Sequence, residues 1–170
     1  MTPSPIIRLK SVVQTLEHVI IPAVDPGNSL AIEQCALVLA QLHMLVRHMP
    51  FIGEYHALCH ADLATTVAAL PPAVGGPATE DAGLNLAVAD READGMTDAS
   101  AAYHHLGRSL ENLVRATAAD GEGKYRAALD AAVLAFSRRQ TRRARSWFRD
   151  AGFDHDPNGL PSLEDMVGGR

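Results

Sequence analysis

Aromatic residues are scarce in this 170-residue chain: four Phe, three Tyr and one Trp make up 5% of it, although 47% is hydrophobic. A core with so few rings must be built from Leu, Val, Ile and Ala, and that composition favours helix over sheet. Cysteine is nearly absent. Cys35 and Cys59 cannot make a disulfide framework and read as reduced thiols of a cytoplasmic protein. The start, MTPSPIIRLK, lacks a basic region followed by an apolar run, so no signal peptide is expected. No uninterrupted apolar stretch of about 18 residues occurs, so no membrane span is expected.

The common catalytic signatures are missing too. Gly75-Gly76 is followed by Pro77 where a phosphate loop needs Lys and Ser or Thr. There is no Gly-x-Ser-x-Gly, His-Glu-x-x-His, Cys-x-x-Cys or Glu-x-x-His. The fragment from Asp154 to Gly159 resembles the opening of a calcium loop but lacks the closing Glu.

What is present is enough helix for one domain. A chain near this length buries roughly 70% of its unfolded surface without needing disulfides or metal. Five helical segments are predicted, over about Pro5–Val24, Leu30–His48, Ile52–Leu70, Ala99–Ala118 and Glu122–Ala151. Asp25-Pro26-Gly27 makes the first turn, with Asn28 or Ser29 as the next cap. Asp98 caps the fourth segment and Gly152 stops the last. The second segment is apolar all round. Its main stripe is Ala31, Cys35, Val38, Leu39, Leu42, Leu45, Val46 and Met49, and Leu30, Leu37 and Met44 lie on another side. Residues 71–98, Pro- and Gly-rich and then acidic, read as a long loop or lid containing a short helix near Leu84–Asp90.

The expected fold is therefore all-α: an antiparallel bundle of four to five helices with one long acidic loop, spanning 1–151, and a tail at 152–170. Short turns after Val24 and near Pro50 would make the first three helices antiparallel neighbours.

Two clusters could carry chemistry. Four of the eight histidines fall between His43 and His60. On the third segment His56 and His60 are four residues apart and face partly inward beside Cys59, a spacing that lets two imidazoles reach one metal ion. A transition-metal site would need a third ligand, with His43, Glu54 or the acidic loop as sources; His56 could otherwise serve as a general base. The competing expectation is packing, with no cofactor and Cys59 as a small hydrophobe. His48 points away from its helix's stripe, where it would suit the negative helix end.

The second cluster is basic. Formal net charge is −5, yet residues 137–149 hold six arginines and no acid. Arg138, Arg142, Arg145 and Arg149 form a line on the last helix, with Arg139 and Arg143 beside it. The line suits phosphates, carboxylates, an anionic surface or an acidic protein. Nucleic acid is disfavoured because aromatics do not interleave with the arginines. The alternative is a solvated face neutralised within the chain by the 80–98 acids or by Asp150, Asp154 and Asp156.

The leading functional expectation is a helical protein that acts by self-association, as a homodimer burying the spare side of the second helix, or by binding a partner. A metal- or histidine-dependent small-molecule site centred on His56 and His60, and anion or nucleic-acid binding through the Arg138–Arg149 stripe, are the alternatives.

Overall fold

The computed structural model describes residues 4–168. Helix is the regular element there: α1 Pro5–Thr15, α2 Ser29–His48, α3 Ile52–Ala68, α4 Pro77–Asp94, α5 Ala99–Asp120, α6 Gly123–Trp147 and the short α7 Leu163–Gly168. No strand occurs among the described residues, which agrees with the all-α expectation; six of these helices have eleven residues or more, so four to five was too few.

The chain divides into two compact units. One holds the described residues up to Ile52 together with Ser146–Leu163; the other holds Gly53–Arg145 and the described residues from Glu164 on.

In the first unit, proline shapes the helices. After α1 the chain widens into a π-helical turn, Leu16–Ile20, closed by the Ile21 N–H donating to the Leu16 carbonyl. Pro22 explains it: its nitrogen cannot donate to the His18 carbonyl and its ring crowds that oxygen. A turn follows in which Asp25 Oδ1 accepts from Gly27 N at 2.8 Å, and Asn28 caps α2 by accepting from Ala31 N at 3.0 Å. α1 then packs against α2, with Val13 as its buried residue.

The reversal expected at Pro50 does not occur. Met49–Phe51 form a 3-10 turn, and His48, Met49 and Ile52 all keep right-handed helical angles. The Met49 N–H still donates to the Leu45 carbonyl, so the proline falls where the helix can tighten without breaking. The helical run Ser29–Ala68 therefore continues through Pro50.

The second unit holds the main core: Leu63 and Val67 of α3, Leu86, Ala89 and Ala93 of α4, Ala102, Leu106, Leu110 and Leu113 of α5, with Tyr125 and Leu129 of α6. Residues 71–98 are not the long loop expected from the sequence. Pro77–Asp94 is an 18-residue helix packed along α5. Its buried residues are Thr79, Leu86, Ala89 and Ala93. Its N-terminus is capped from a distance: Asp120, at the end of α5, accepts from Ala78 N at 2.9 Å, Thr79 N at 3.0 Å and Thr79 Oγ1 at 2.6 Å. The Thr79 hydroxyl and these amides hold the Asp120 carboxyl below the usual range. Gly75 and Gly121 meet in an isolated bridge beside it. A Cβ on Gly75 would lie 2.7 Å from Gly121 Cα, so only glycine permits this approach.

α6 ends at Trp147, earlier than expected. A 3-10 turn, Arg149–Ala151, follows, and Gly152 at φ 79° makes the stop. The segment beyond is not a plain tail, because Leu160 and Leu163 are buried.

Candidate functional surface

α2 presents three faces. At about 100° per residue, Ala31, Cys35, Leu39, Leu42 and Val46 share one, and all are half-buried. Glu33, Ala36, Ala40, His43 and Arg47 share a second, exposed and partly charged. The third carries Leu30, Leu37, Val38 and Leu45, runs on to Ile52, and includes exposed Gln34 and Gln41 and buried His48. Its five large apolar side chains are 39% (Ile52) to 66% (Leu30) exposed. By length and composition the run is apolar enough to cross a membrane, and none of its most apolar 18-residue window is buried within the chain. Soluble monomers seldom leave so much contiguous apolar surface uncovered.

The apolar members of this stripe are symmetric in sequence about Gln41. Leu37 and Leu45 lie four residues to either side, Leu30 and Ile52 eleven, and Val38 and Met44 three. The polar members are not: exposed Gln34, seven residues before, is mirrored by buried His48, seven residues after.

His48 closes α2 in an unexpected way. It does not project into solvent at the helix end; it is buried against the α6 terminus, its ring 4.4 Å from that of Trp147 and edge-on to Phe148 at 6.4 Å. Burial, and then the neighbouring Arg47, lowers its pKa from the usual histidine value, which favours the neutral imidazole. The helix-end cation is Arg47, paired with Asp150.

In the second unit the α3 group separates into its members. Cys59 is buried, and His56 and His60 are half-buried; His56 lies beside Tyr55 with ring centroids 5.9 Å apart. The His60 Nε2 is buried with no hydrogen-bond partner among the described residues. No three His, Cys, Asp or Glu side chains among the described residues are grouped to hold a metal ion, so neither His43 nor Glu54 completes a set with His56 and His60. Cys59 instead joins a polar seam between α3 and α6. Gln140 Nε2 donates to Cys59 Sγ at 3.4 Å, and Arg143 Nη1 donates to Gln140 Oε1 at 2.7 Å. Burial, and then the Cys59 sulfur, pushes the Tyr55 phenol up to about 12.

Asp62 anchors this seam. It accepts from Arg139 Nε at 2.9 Å and pairs with Arg143, while Arg139 Nη2 donates to Thr66 Oγ1 at 2.9 Å. Burial would raise the Asp62 carboxyl, but the hydrogen bonds from Arg139 and Arg143 outweigh it and hold the group below the usual carboxylate range. Sequence inspection missed Asp62 as the counter-charge. The available signal was its place one turn beyond Cys59 on the inner side of α3.

The arginine line is correspondingly shortened. Arg138 and Arg142 are exposed, Arg145 is half-buried, and Arg149 lies past the end of α6, donating from Nη1 to the Leu160 carbonyl at 3.3 Å. Comparison with known proteins adds no further constraint: no family model, curated protein or solved structure matches the chain.

Proposed function

We propose that the protein acts by self-association, pairing the Leu30–Ile52 stripe of one copy with the same stripe of a second, antiparallel copy. The observation that carries this reading is the placing of exposed apolar side chains at matching distances on either side of Gln41, Leu37 with Leu45 and Leu30 with Ile52. In an antiparallel pair the two-fold axis passes Gln41, Leu37 meets the second copy's Leu45, and Leu30 meets its Ile52. Such an isologous contact needs only one self-complementary patch. The Gln41 amides carry both donor and acceptor and satisfy each other. The charged face with Glu33, His43 and Arg47 favours a protein partner over hydrocarbon, where those groups would lose their water.

Fully burying a Leu side chain contributes roughly 1.5–3 kcal/mol. Leu37 is half exposed, so Leu37→Ala should cost about 1 kcal/mol in each copy, or about thirtyfold in dimer affinity. The test is light scattering on the full chain in detergent-free buffer, alongside the double variant Leu37→Glu/Leu45→Glu. A dimer that the double variant converts to a folded monomer supports the reading. A wild-type monomer that floats with phosphatidylcholine vesicles would replace it with a membrane contact, and an unaffected dimer would place the interface elsewhere.

A further inference from the structure

A groove in the second unit, bounded by α3, α5 and α6, has a cavity volume of about 530 Å³, within the ~300–1,000 Å³ range of small-molecule sites. Its floor is apolar: Leu63, Leu110, Val114, Val133 and Phe136. Polar groups stand at its edge. Tyr103 and His104 meet edge-on with ring centroids 5.4 Å apart, and Arg108 is exposed. Glu111, the one acid lining the groove among the described residues, is engaged by Arg115 one turn along α5. Arg108 makes no ion pair or hydrogen bond among the described residues, unlike Arg139 and Arg143 of the seam. The groove thus joins an apolar trough to one guanidinium free to act.

Gly107 supplies an independent indication. A glycine inside a helix is less favourable than alanine. Packing does not require this one, since a Cβ there would meet nothing closer than Leu63 Cδ2 at 3.8 Å, an ordinary contact. Its effect is to keep the trough open between Tyr103 and Leu110.

We infer that this groove binds a small amphipathic carboxylate, an alkanoate or aryl-alkanoate, with its apolar body along Leu63, Val133 and Phe136 and its carboxylate on Arg108. Guanidinium and carboxylate match in charge and in the geometry of paired hydrogen bonds. The floor has no polar group to reward a more hydrophilic body. The site does not depend on the α2 stripe.

The experiment is titration calorimetry of the full chain with decanoate, decanol and decyltrimethylammonium, each below its self-association concentration. Decanoate should bind saturably, one per chain, and at least tenfold more tightly than the cation. Arg108→Gln should weaken decanoate about tenfold and leave decanol unchanged. Gly107→Leu should abolish decanoate binding while retaining the helical circular-dichroism signal; if it does not fold, Ser137→Trp, at an exposed lining position, decides in its place. Binding must persist in Leu37→Glu/Leu45→Glu, which separates this site from the α2 stripe. No saturable binding, indifference to head group, or normal binding by the groove-filled variant overturns the inference.

Discussion

Removing the Asp62 carboxylate is the sharpest perturbation of the α3–α6 seam. Its side chain is 15% exposed, that of Arg143 13% and that of Arg139 47%. In Asp62→Ala, Arg139 can turn to water, and a pair of that kind contributes only about 0–1 kcal/mol. Arg143 cannot, and it keeps only the Gln140 carbonyl as acceptor. Stranding a fully buried cation costs about 3–5 kcal/mol. The remaining exposure and the Gln140 bond reduce this, giving an expected loss of about 2–3 kcal/mol, or roughly 5–10 °C in Tm for a chain of this size. The assay is urea denaturation followed by far-ultraviolet circular dichroism, because the sole tryptophan, Trp147, belongs to the other unit. Asp62→Ala/Arg143→Met should recover at least about 1 kcal/mol by removing the stranded charge. A loss below about 0.5 kcal/mol, or strict additivity in the double variant, would refute the seam as a source of stability. The carboxyl is depressed in the folded state, so its contribution is complete above the unfolded value near pH 4 and fades as pH falls through the folded one. Asp62→Asn should flatten that acid limb.

The His48 contact should respond to pH with the same sign. Its folded pKa lies below the unfolded value of about 6.5, so stability is complete above pH 6.5 and declines as pH falls through the folded value. Trp147 fluorescence should report the change, and His48→Gln should abolish the titration; an unchanged titration would place its origin elsewhere. At the α4 cap, Gly75→Ala should destabilise by about 1–3 kcal/mol, because the added methyl meets Gly121 Cα and the Asp120 carbonyl, both backbone. Denaturation equal to wild type would show that the bridge can part at no cost.

Where apolar spacing was strong, sequence and structure agree. Leu106, Leu110, Leu113 and Thr117 line the buried side of α5, Asp98 caps it by accepting from Ser100 N at 2.9 Å, and Asn28 caps α2. α4 was missed for physical reasons. Its buried residues are Thr79, Leu86, Ala89 and Ala93, a face with one large apolar side chain and little hydrophobic contrast, and its capping carboxylate comes from Asp120, remote in sequence. Pro50 misled in the opposite sense: a Pro after Met49 resembles a turn, yet the 3-10 register absorbs it. His48 was misplaced because its burial comes from Trp147 and Phe148, which no local periodicity reveals. At the candidate sites, the spacing of His56 and His60 is a sequence fact, but that no third His, Cys, Asp or Glu among the described residues joins them required the fold. The α2 surplus of apolar side chains was legible from the start; its uncovered state required the fold.

Cross-linking at the two-fold axis tests the self-association account most directly. With Cys35 and Cys59 replaced by alanine, Gln41→Cys should oxidise readily to a disulfide-linked dimer, since the axis passes this residue. Leu30→Cys should stay unlinked alone and cross-link when mixed with Ile52→Cys. A monomeric Gln41→Cys after oxidation, or a Leu30→Cys variant that links to itself, would contradict the antiparallel pairing.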